Sequence, residues 1–344
     1  MSIYRSFGNE LPDIDGQRIL ITGGTGSFGQ AFLHRILNGY PNALVVIFSR
    51  DEQKQYELEG RLDPKHRERV RLFLGDVRDV DRLESAMRNV DLVIHAAALK
   101  HVSAAEYNPF ECVKTNINGG ENVVTAAIRT GVRRVIALST DKAASPLNLY
   151  GASKLASDKI FIAANNLAGS QDIRFSIVRY GNVLGSRGSV VPFFQRLINE
   201  GADFLPITHP DMTRFWITLK QGVEFVLSSL QLMSGGEIFV PKIPSMKVVD
   251  VARTLAPDLP HRIVGIRPGE KLHEVMITAD DARTTMELED RYILEPVLPL
   301  WTSDYRSHKD ATRVPTNFEY SSNFNSEWLD RESFLALIQG QESS

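Results

Sequence analysis

The sequence predicts an α/β protein built on a doubly wound parallel sheet, with a smaller, interleaved α/β lobe. Three observations predict it. Short apolar, β-branched runs alternate with amphipathic stretches from residue 18 to residue 180, the spacing of parallel strands joined by right-handed helical crossovers. A glycine-spaced turn follows the first run directly, and beyond residue 181 the alternation breaks into shorter pieces. Residues 1–180 are expected to form a nucleotide-binding domain, with 219–242 packing back on it. Residues 181–218 and 243–344 are expected to form the substrate lobe.

Composition narrows the class. A chain of 344 residues, 43% hydrophobic and 24% charged, can bury one large α/β core plus a lobe. The 39 Lys and Arg nearly balance the 42 Asp and Glu, so no global field favours nucleic acid or a membrane surface. An anionic ligand must be held by local clusters. The single cysteine, Cys112, excludes an internal disulfide and Cys-rich metal sites, and reads as a buried bystander thiol. Residues 1–17 lack the apolar core of a signal peptide and no stretch approaches ~20 apolar residues, so a cytoplasmic location is expected. No His, Asp and Glu spacing suggests a metal site.

The first strand, 18–22, runs into Gly23-Gly24-Thr25-Gly26-Ser27-Phe28-Gly29 and then an amphipathic segment, 30–37. Glycines at 23, 26 and 29 permit a tight turn, close approach to a pyrophosphate and tight packing of helix on strand. Gly23, Thr25, Gly26, Ser27, Phe28 and Gly29 are therefore expected to hold a dinucleotide at the helix N-terminus. The second strand, 43–48, ends in Ser49-Arg50-Asp51. Ser49 and a guanidinium at Arg50 suit a 2′-phosphate, favouring NADP over NAD; alternatively Arg50 is solvated and Asp51 takes the ribose. Residues 51–71 read as exposed helix and loop. A third strand, 70–74, ends at Gly75-Asp76-Val77, where Asp76 either accepts from the adenine amino group or caps the next helix. The fourth, 91–95, runs into Ala96-Ala97-Ala98-Leu99-Lys100, small residues against which a nucleotide can lie flat. Lys100 and His101 beyond it either reach substrate or are ordinary loop residues. Asn116 and Asn118 open a helix over 119–129, with Asn116 free to bond main chain instead.

The run 134–138 then delivers Ser139-Thr140-Asp141-Lys142 to the carboxyl end of the sheet, where ligands of such folds bind. Tyr150 and Lys154 follow, four apart on a helix beginning at Leu149, and so share one face. An adjacent ammonium stabilises phenolate, which would let Tyr150 exchange protons well below its ordinary pKa. A helix with one unconnected Tyr and one Lys is the bland reading, and the position behind a nucleotide turn weighs against it. A strand at 175–180 leads to a Gly-rich loop, 181–189. Helices over 192–199, 221–233 and 248–255 and extended pieces at 204–208 and 237–241 complete the lobe. Residues 304–326 are expected to wrap the two parts, with Ser326 capping a final short helix. Arg187, Arg214, Arg267 and Lys271 supply cations that either converge on a diphosphate or form surface salt bridges.

TGxxGxxG at 22–29, YxxxK at 150–154 and the RYGNVLG run at 179–185 resemble the extended short-chain dehydrogenase/reductase superfamily. More narrowly, SRDEQKQ (49–55), HAAALKHV (95–102), STDKAASPLNLYGASK (139–154), GNVLGSRGSV (181–190), MTRFWIT (212–218) and RPGEKLHE (267–274) resemble the configuration-inverting UDP-N-acetylglucosamine 4,6-dehydratases of pseudaminic acid synthesis. The resemblance implies a Rossmann-type NADP domain and UDP-N-acetylglucosamine as substrate. It also implies a homo-oligomer, a dimer or a hexamer. It assigns Tyr150 and Lys154 to the cofactor and to proton removal from the sugar 4-hydroxyl, Thr140 or Ser139 to the 4-oxygen, and Lys142 and Asp141 to base and acid in eliminating water across C5 and C6, the alternative for that pair being a mutually neutralised loop ion pair. Ser49, Arg50, Asp76, Val77, Ala96, Ala97, Ala98 and Lys100 go to the cofactor. Lys100, Asn182, Arg187, Val190, Arg214, Arg267 and Glu270 go to the substrate. Asp141-Lys142, where dTDP-glucose dehydratases carry Asp-Glu, and Tyr150, where retaining membrane-anchored relatives carry Met, favour the inverting type. Ser145 departs from an Asn frequent in similar enzymes. The rivals are a UDP-hexose 4-epimerase of the same fold, which needs no acid/base pair for C5 and C6, and a non-catalytic NADP sensor.

Overall fold

The structure is a computed structural model that describes residues 5–8, 11–186, 188–297, 308 and 310–342. Six strands fall where the apolar runs place them: β1 (Arg18–Thr22), β2 (Leu44–Ser49), β3 (Val70–Leu74), β4 (Leu92–His95), β5 (Arg134–Thr140) and β6 (Arg174–Tyr180). Between them lie α1 (Ser27–Gly39), α2 (Glu52–Arg61), α3 (Val80–Met87), the short α4 (Val102–Tyr107) and α5 (Pro109–Cys112), α6 (Gly119–Thr130) and α7 (Leu149–Leu167). Local chemistry sets several ends. Asp51 accepts from the Lys54 amide and Asp79 from the Arg82 amide to cap α2 and α3. Gly131, at φ 74°, closes α6 in the left-handed conformation that glycine adopts without penalty. The Asn148 side chain accepts from the Gly151 amide at 2.8 Å and starts α7 one residue before Tyr150.

Past β6 come β7 (Asn182–Val183), α8 (Val190–Asn199), β8 (Leu205–Ile207), β9 (Thr213–Ile217), α9 (Leu219–Leu232) and β10 (Ile238–Pro241). A capping box of Thr218 and Gln221 starts α9. The remainder is β11 (Ser245–Lys247), α10 (Val248–Leu255), β12 (His261–Ile263), β13 (Val275–Ile277), β14 (Thr285–Glu287), β15 (Arg291–Leu294), β16 (Thr312–Arg313), β17 (Tyr320–Ser321) and α11 (Arg331–Glu342).

The main sheet runs β16-β14-β15-β10-β6-β5-β4-β1-β2-β3. From β3 to β10 the pairing is parallel, and β15, β14 and β16 add an antiparallel edge. The central parallel strands are buried on both faces, which is why they read as continuous apolar runs. α9 packs against α1, and β10 pairs in parallel with β6. The rest of 243–344, expected as lobe, divides: β14, β15 and β16 supply the sheet edge, and Met276, Ile277 and Tyr320 join the main core. A second core packs α8, β8, β11, α10 and α11 around Trp216, Phe194 and Phe334.

The expected wrap at 304–326 supplies β16 and β17, and the part of it at 304–307 and 309 lies outside the described residues. Ser326 caps nothing. Glu327 and Leu329 exchange main-chain bonds with Ser245, and Asp330 accepts from the Ser333 amide at the start of α11. A β-type contact with β11 thus claims the residues that the sequence pattern gave to the helix start.

Candidate active site

Strand order reverses between β1 and β4, and a cavity of about 1270 Å³ opens at the carboxyl ends of the strands there. Open α/β sheets bind ligands at such a switch point because the loops diverge to opposite faces. The cavity reaches from the glycine turn after β1 to the second lobe.

One half suits a dinucleotide. Gly23, Thr25, Gly26, Ser27, Phe28 and Gly29 line it, followed by Ser49, Arg50, Asp76 and Val77 at the ends of β2 and β3. Gly23 has φ 66°, and a Cβ on it would stand 2.9 Å from the Ala97 main chain. A Cβ on Gly29 would lie 2.5 Å from Gly24 Cα. The turn therefore needs glycine at both places. Gly26 caps α1 with no side-chain hydrogen bond, leaving the first helical amides for an anion. Ala96, Ala97, Ala98 and Lys100 line the cavity beside this turn. These features fit a dinucleotide with its pyrophosphate on α1. Asp51, the alternative ribose ligand, is engaged elsewhere: it caps α2 and pairs with Lys54 Nζ at 2.7 Å. Asp76 accepts from Arg78 at 2.8 Å and lies 3.8 Å from Arg50; burial opposes its charge, but the Arg78 hydrogen bonds hold its carboxyl below the usual range.

The chemical half lies where β5 ends. Tyr150, Lys154, Thr140 and Lys142 line the cavity, and Asp141 is fully buried beneath them. Thr140 donates to Asp141 Oδ1 at 2.9 Å, and the Lys142 ammonium stands 3.0 Å from the same oxygen. Burial opposes the Lys142 charge, but the charges of Asp141 and Glu274 outweigh it and raise its pKa above that of ordinary lysine. Asp141 Oδ2 is buried without a hydrogen-bond partner, and Gly181 leaves room beside it: a Cβ there would meet Phe215 Cβ at 2.7 Å. Lys154 lies inside α7, its pKa lowered by burial against the pull of Asp158. The expected lowering of Tyr150 by Lys154 is not met. Burial dominates and pushes the phenol up to about 12, while the Lys142 charge and a hydrogen bond with Thr140 act to lower it.

Sequence reasoning missed two carboxylates. Asp158 extends the Tyr150–Lys154 face by one turn; its Oδ2 accepts from Ser139 at 2.8 Å and pairs with Arg179 at 3.3 Å, all buried. Its spacing from Lys154 was a readable signal. Glu274, at the end of RPGEKLHE, stands 3.1 Å from Lys142 Nζ, a contact between residues far apart in the chain that no local pattern announces. Asn116 takes its alternative role, bonding the Leu99 main chain through both amide atoms and donating to Ser153 on α7.

Among the proposed substrate residues, Asn182, Val190, Arg214, Arg267, Glu270 and Lys100 line the cavity, and Arg187 lies outside the described residues. Arg214 is engaged by protein: it donates to the carbonyls of Thr213, Lys271 and Leu272. Arg267 is largely exposed and pairs with Glu270 at 3.4 Å. Lys271 reaches back to the Ala144 carbonyl at 2.8 Å.

Residues 19–296 match the profile of a family described as polysaccharide biosynthesis protein. A Campylobacter jejuni protein named UDP-N-acetylglucosamine 4,6-dehydratase (inverting) is 54% identical over 95% of this chain and 99% of its own. A Rickettsia rickettsii protein named UDP-glucose 4-epimerase is 41% identical over 80% of this chain and 81% of its own. The solved structure of Pen from Bacillus thuringiensis superimposes with a TM-score of 0.88 at 36% identity, covering 96% of this chain and 99% of that one. With a family profile matched over residues 19–296 and similarity to these proteins over most of its length, the chain belongs to that polysaccharide biosynthesis family within the extended short-chain dehydrogenase/reductase superfamily.

Proposed function

We propose that this chain is a UDP-N-acetylglucosamine 4,6-dehydratase that inverts C5, holding NADP in the glycine-turn half of the cavity and the nucleotide sugar in the other. The observation that carries the reading is the Asp141–Lys142 pair at the end of β5, with Asp141 fully buried and Lys142 lining the same cavity as Tyr150. A 4-epimerase has no use for an acid and a base at C5 and C6. NADP, when bound, supplies reversible hydride storage.

Tyr150 is the group to take the 4-hydroxyl proton, the Lys142 charge and the Thr140 hydrogen bond favouring its phenolate against burial, and Thr140 steadies the 4-oxygen. Once C4 is a ketone the C5 proton becomes acidic. One proton crossing the 3.0 Å bond from Lys142 to Asp141 gives a free amine and a carboxylic acid, the pair needed to take the C5 proton and protonate the leaving 6-hydroxyl. The product is a UDP-linked 4-keto-6-deoxy sugar of L-arabino configuration, the starting point for pseudaminic acid. Arg50 beside Asp76, with Asp51 engaged in capping, supports NADP over NAD. A homo-oligomer and a cytoplasmic setting complete the reading; no helix among the described residues is long and apolar enough to cross a membrane.

The test is incubation with UDP-N-acetylglucosamine in deuterated water, followed by mass spectrometry and proton NMR. Loss of one water with deuterium at C5 and L-arabino couplings is expected. An unchanged composition with inverted C4 would establish the epimerase instead, the reading that the Rickettsia relative favours. Cofactor binding with no conversion of any UDP-sugar would leave the sensor.

A further inference from the structure

Asp141 is not the only carboxylate on Lys142. Glu274, carried on the segment leading into β13, is 1% exposed, and its Oε1 lies 3.1 Å from Lys142 Nζ and 3.7 Å from Arg214 Nε. Its main chain is fixed from both sides, the amide donating to Ser322 Oγ at 2.9 Å and the carbonyl accepting from the Ser322 amide at 2.8 Å. Its Oε2 is buried without a hydrogen-bond partner, and the residue lines the cavity. A second buried carboxylate on an ammonium that already has one is costly to desolvate and adds little to folding. Its place at the reacting end of the cavity gives it another use.

We propose that Glu274 is a positioning residue for the dehydration: from the segment leading into β13 it clamps the Lys142 ammonium against Asp141 and governs when that nitrogen releases its proton. The inference rests on the dehydratase reading above. The charged and titratable groups that face Lys142 are Asp141 after β5, Glu274 before β13, Arg214 on β9, Tyr150 on α7 and Lys271 of the same loop as Glu274. Asp141 and Glu274 favour the ammonium, and Arg214 and Lys271 oppose it. Removing the Glu274 charge leaves one carboxylate among three cations, so the free amine forms at lower pH.

Glu274→Gln keeps the shape and removes the charge. Two readouts apply: acetylation of Lys142 by acetic anhydride against pH, followed by peptide mass spectrometry, and the pH dependence of kcat/KM for UDP-N-acetylglucosamine. Both the labelling midpoint and the rising limb should move down by about 1–3 pH units, the effect of an opposite charge at this range. Glu274→Asp, which retains the charge at a longer reach, should fall between. Profiles that superimpose on those of the parent, in a variant with parental melting, overturn the proposal. Should the Gln variant not fold, an unmoved Asp profile does the same. Labelling needs no substrate, so a parent protein that converts no UDP-sugar would sink the dehydratase reading and leave the Lys142–Glu274 coupling still measurable.

Discussion

Replacing Arg50 by alanine should cost NADP affinity and spare NAD. Arg50 lines the cavity just beyond β2, about half exposed, with its guanidinium 3.8 Å from Asp76. The neighbouring acid that would select NAD, Asp51, is tied to the α2 amide and to Lys54. A hydrogen bond to a charged group contributes about 1.5–3 kcal/mol. At a half-exposed site, solvent and salt reduce that to roughly 1–2 kcal/mol. The expected loss is therefore about 5–30-fold in the NADP⁺ dissociation constant. Isothermal titration of cofactor-depleted protein with each dinucleotide measures it, and the NADP⁺ loss should shrink as salt rises. Equal weakening for NAD⁺ and NADP⁺, or tighter NAD⁺ binding by the parent, would refute the assignment of Arg50 to a 2′-phosphate.

Four other outcomes are expected. Lys142→Ala should lower turnover by about 10²-fold or more while leaving the cofactor dissociation constant unchanged, because Lys142 acts on the sugar; parental turnover would exclude it from proton transfer. Asp158→Ala leaves Arg179 buried without its partner and should cost about 3–5 kcal/mol in urea unfolding. His95, bonded to Thr22 at 2.8 Å, is pushed down to about 3 by burial and by the Lys154 charge. The unfolded chain then binds the extra proton, so stability is lost as pH falls from about 6.5 towards 3; between pH 7 and 5 the parent should lose about 2 kcal/mol more than His95→Gln. Ser145 sits at φ 51°, a region asparagine tolerates better, so Ser145→Asn should raise the melting temperature by a degree or two, with about 0.5 kcal/mol gained. No change or a fall in melting temperature would count against that account.

The sequence by itself determined the parallel sheet, the nucleotide turn and the helix face of Tyr150 and Lys154. Each is a local signal: doubly buried strands read as apolar runs, glycines recur where a Cβ would collide, and a four-residue spacing fixes a helix face whatever lies around it. Even Ser145, noted only as a departure from related sequences, marks a left-handed residue. Tertiary structure decided what depends on residues far apart in the chain. The pairing of β14, β15 and β16 with β10 extended the sheet with segments expected in the lobe, because a three-residue strand carries too little pattern to name its partner. Contact with Ser245 displaced the final helix start from Ser326. Burial reversed the expected direction of the Tyr150 pKa, since desolvation is set by everything packed around the phenol and not by the lysine one turn away. Glu274 met Lys142 only because the segment leading into β13 packs against the turn after β5, and the charge on that lysine depends on both carboxylates.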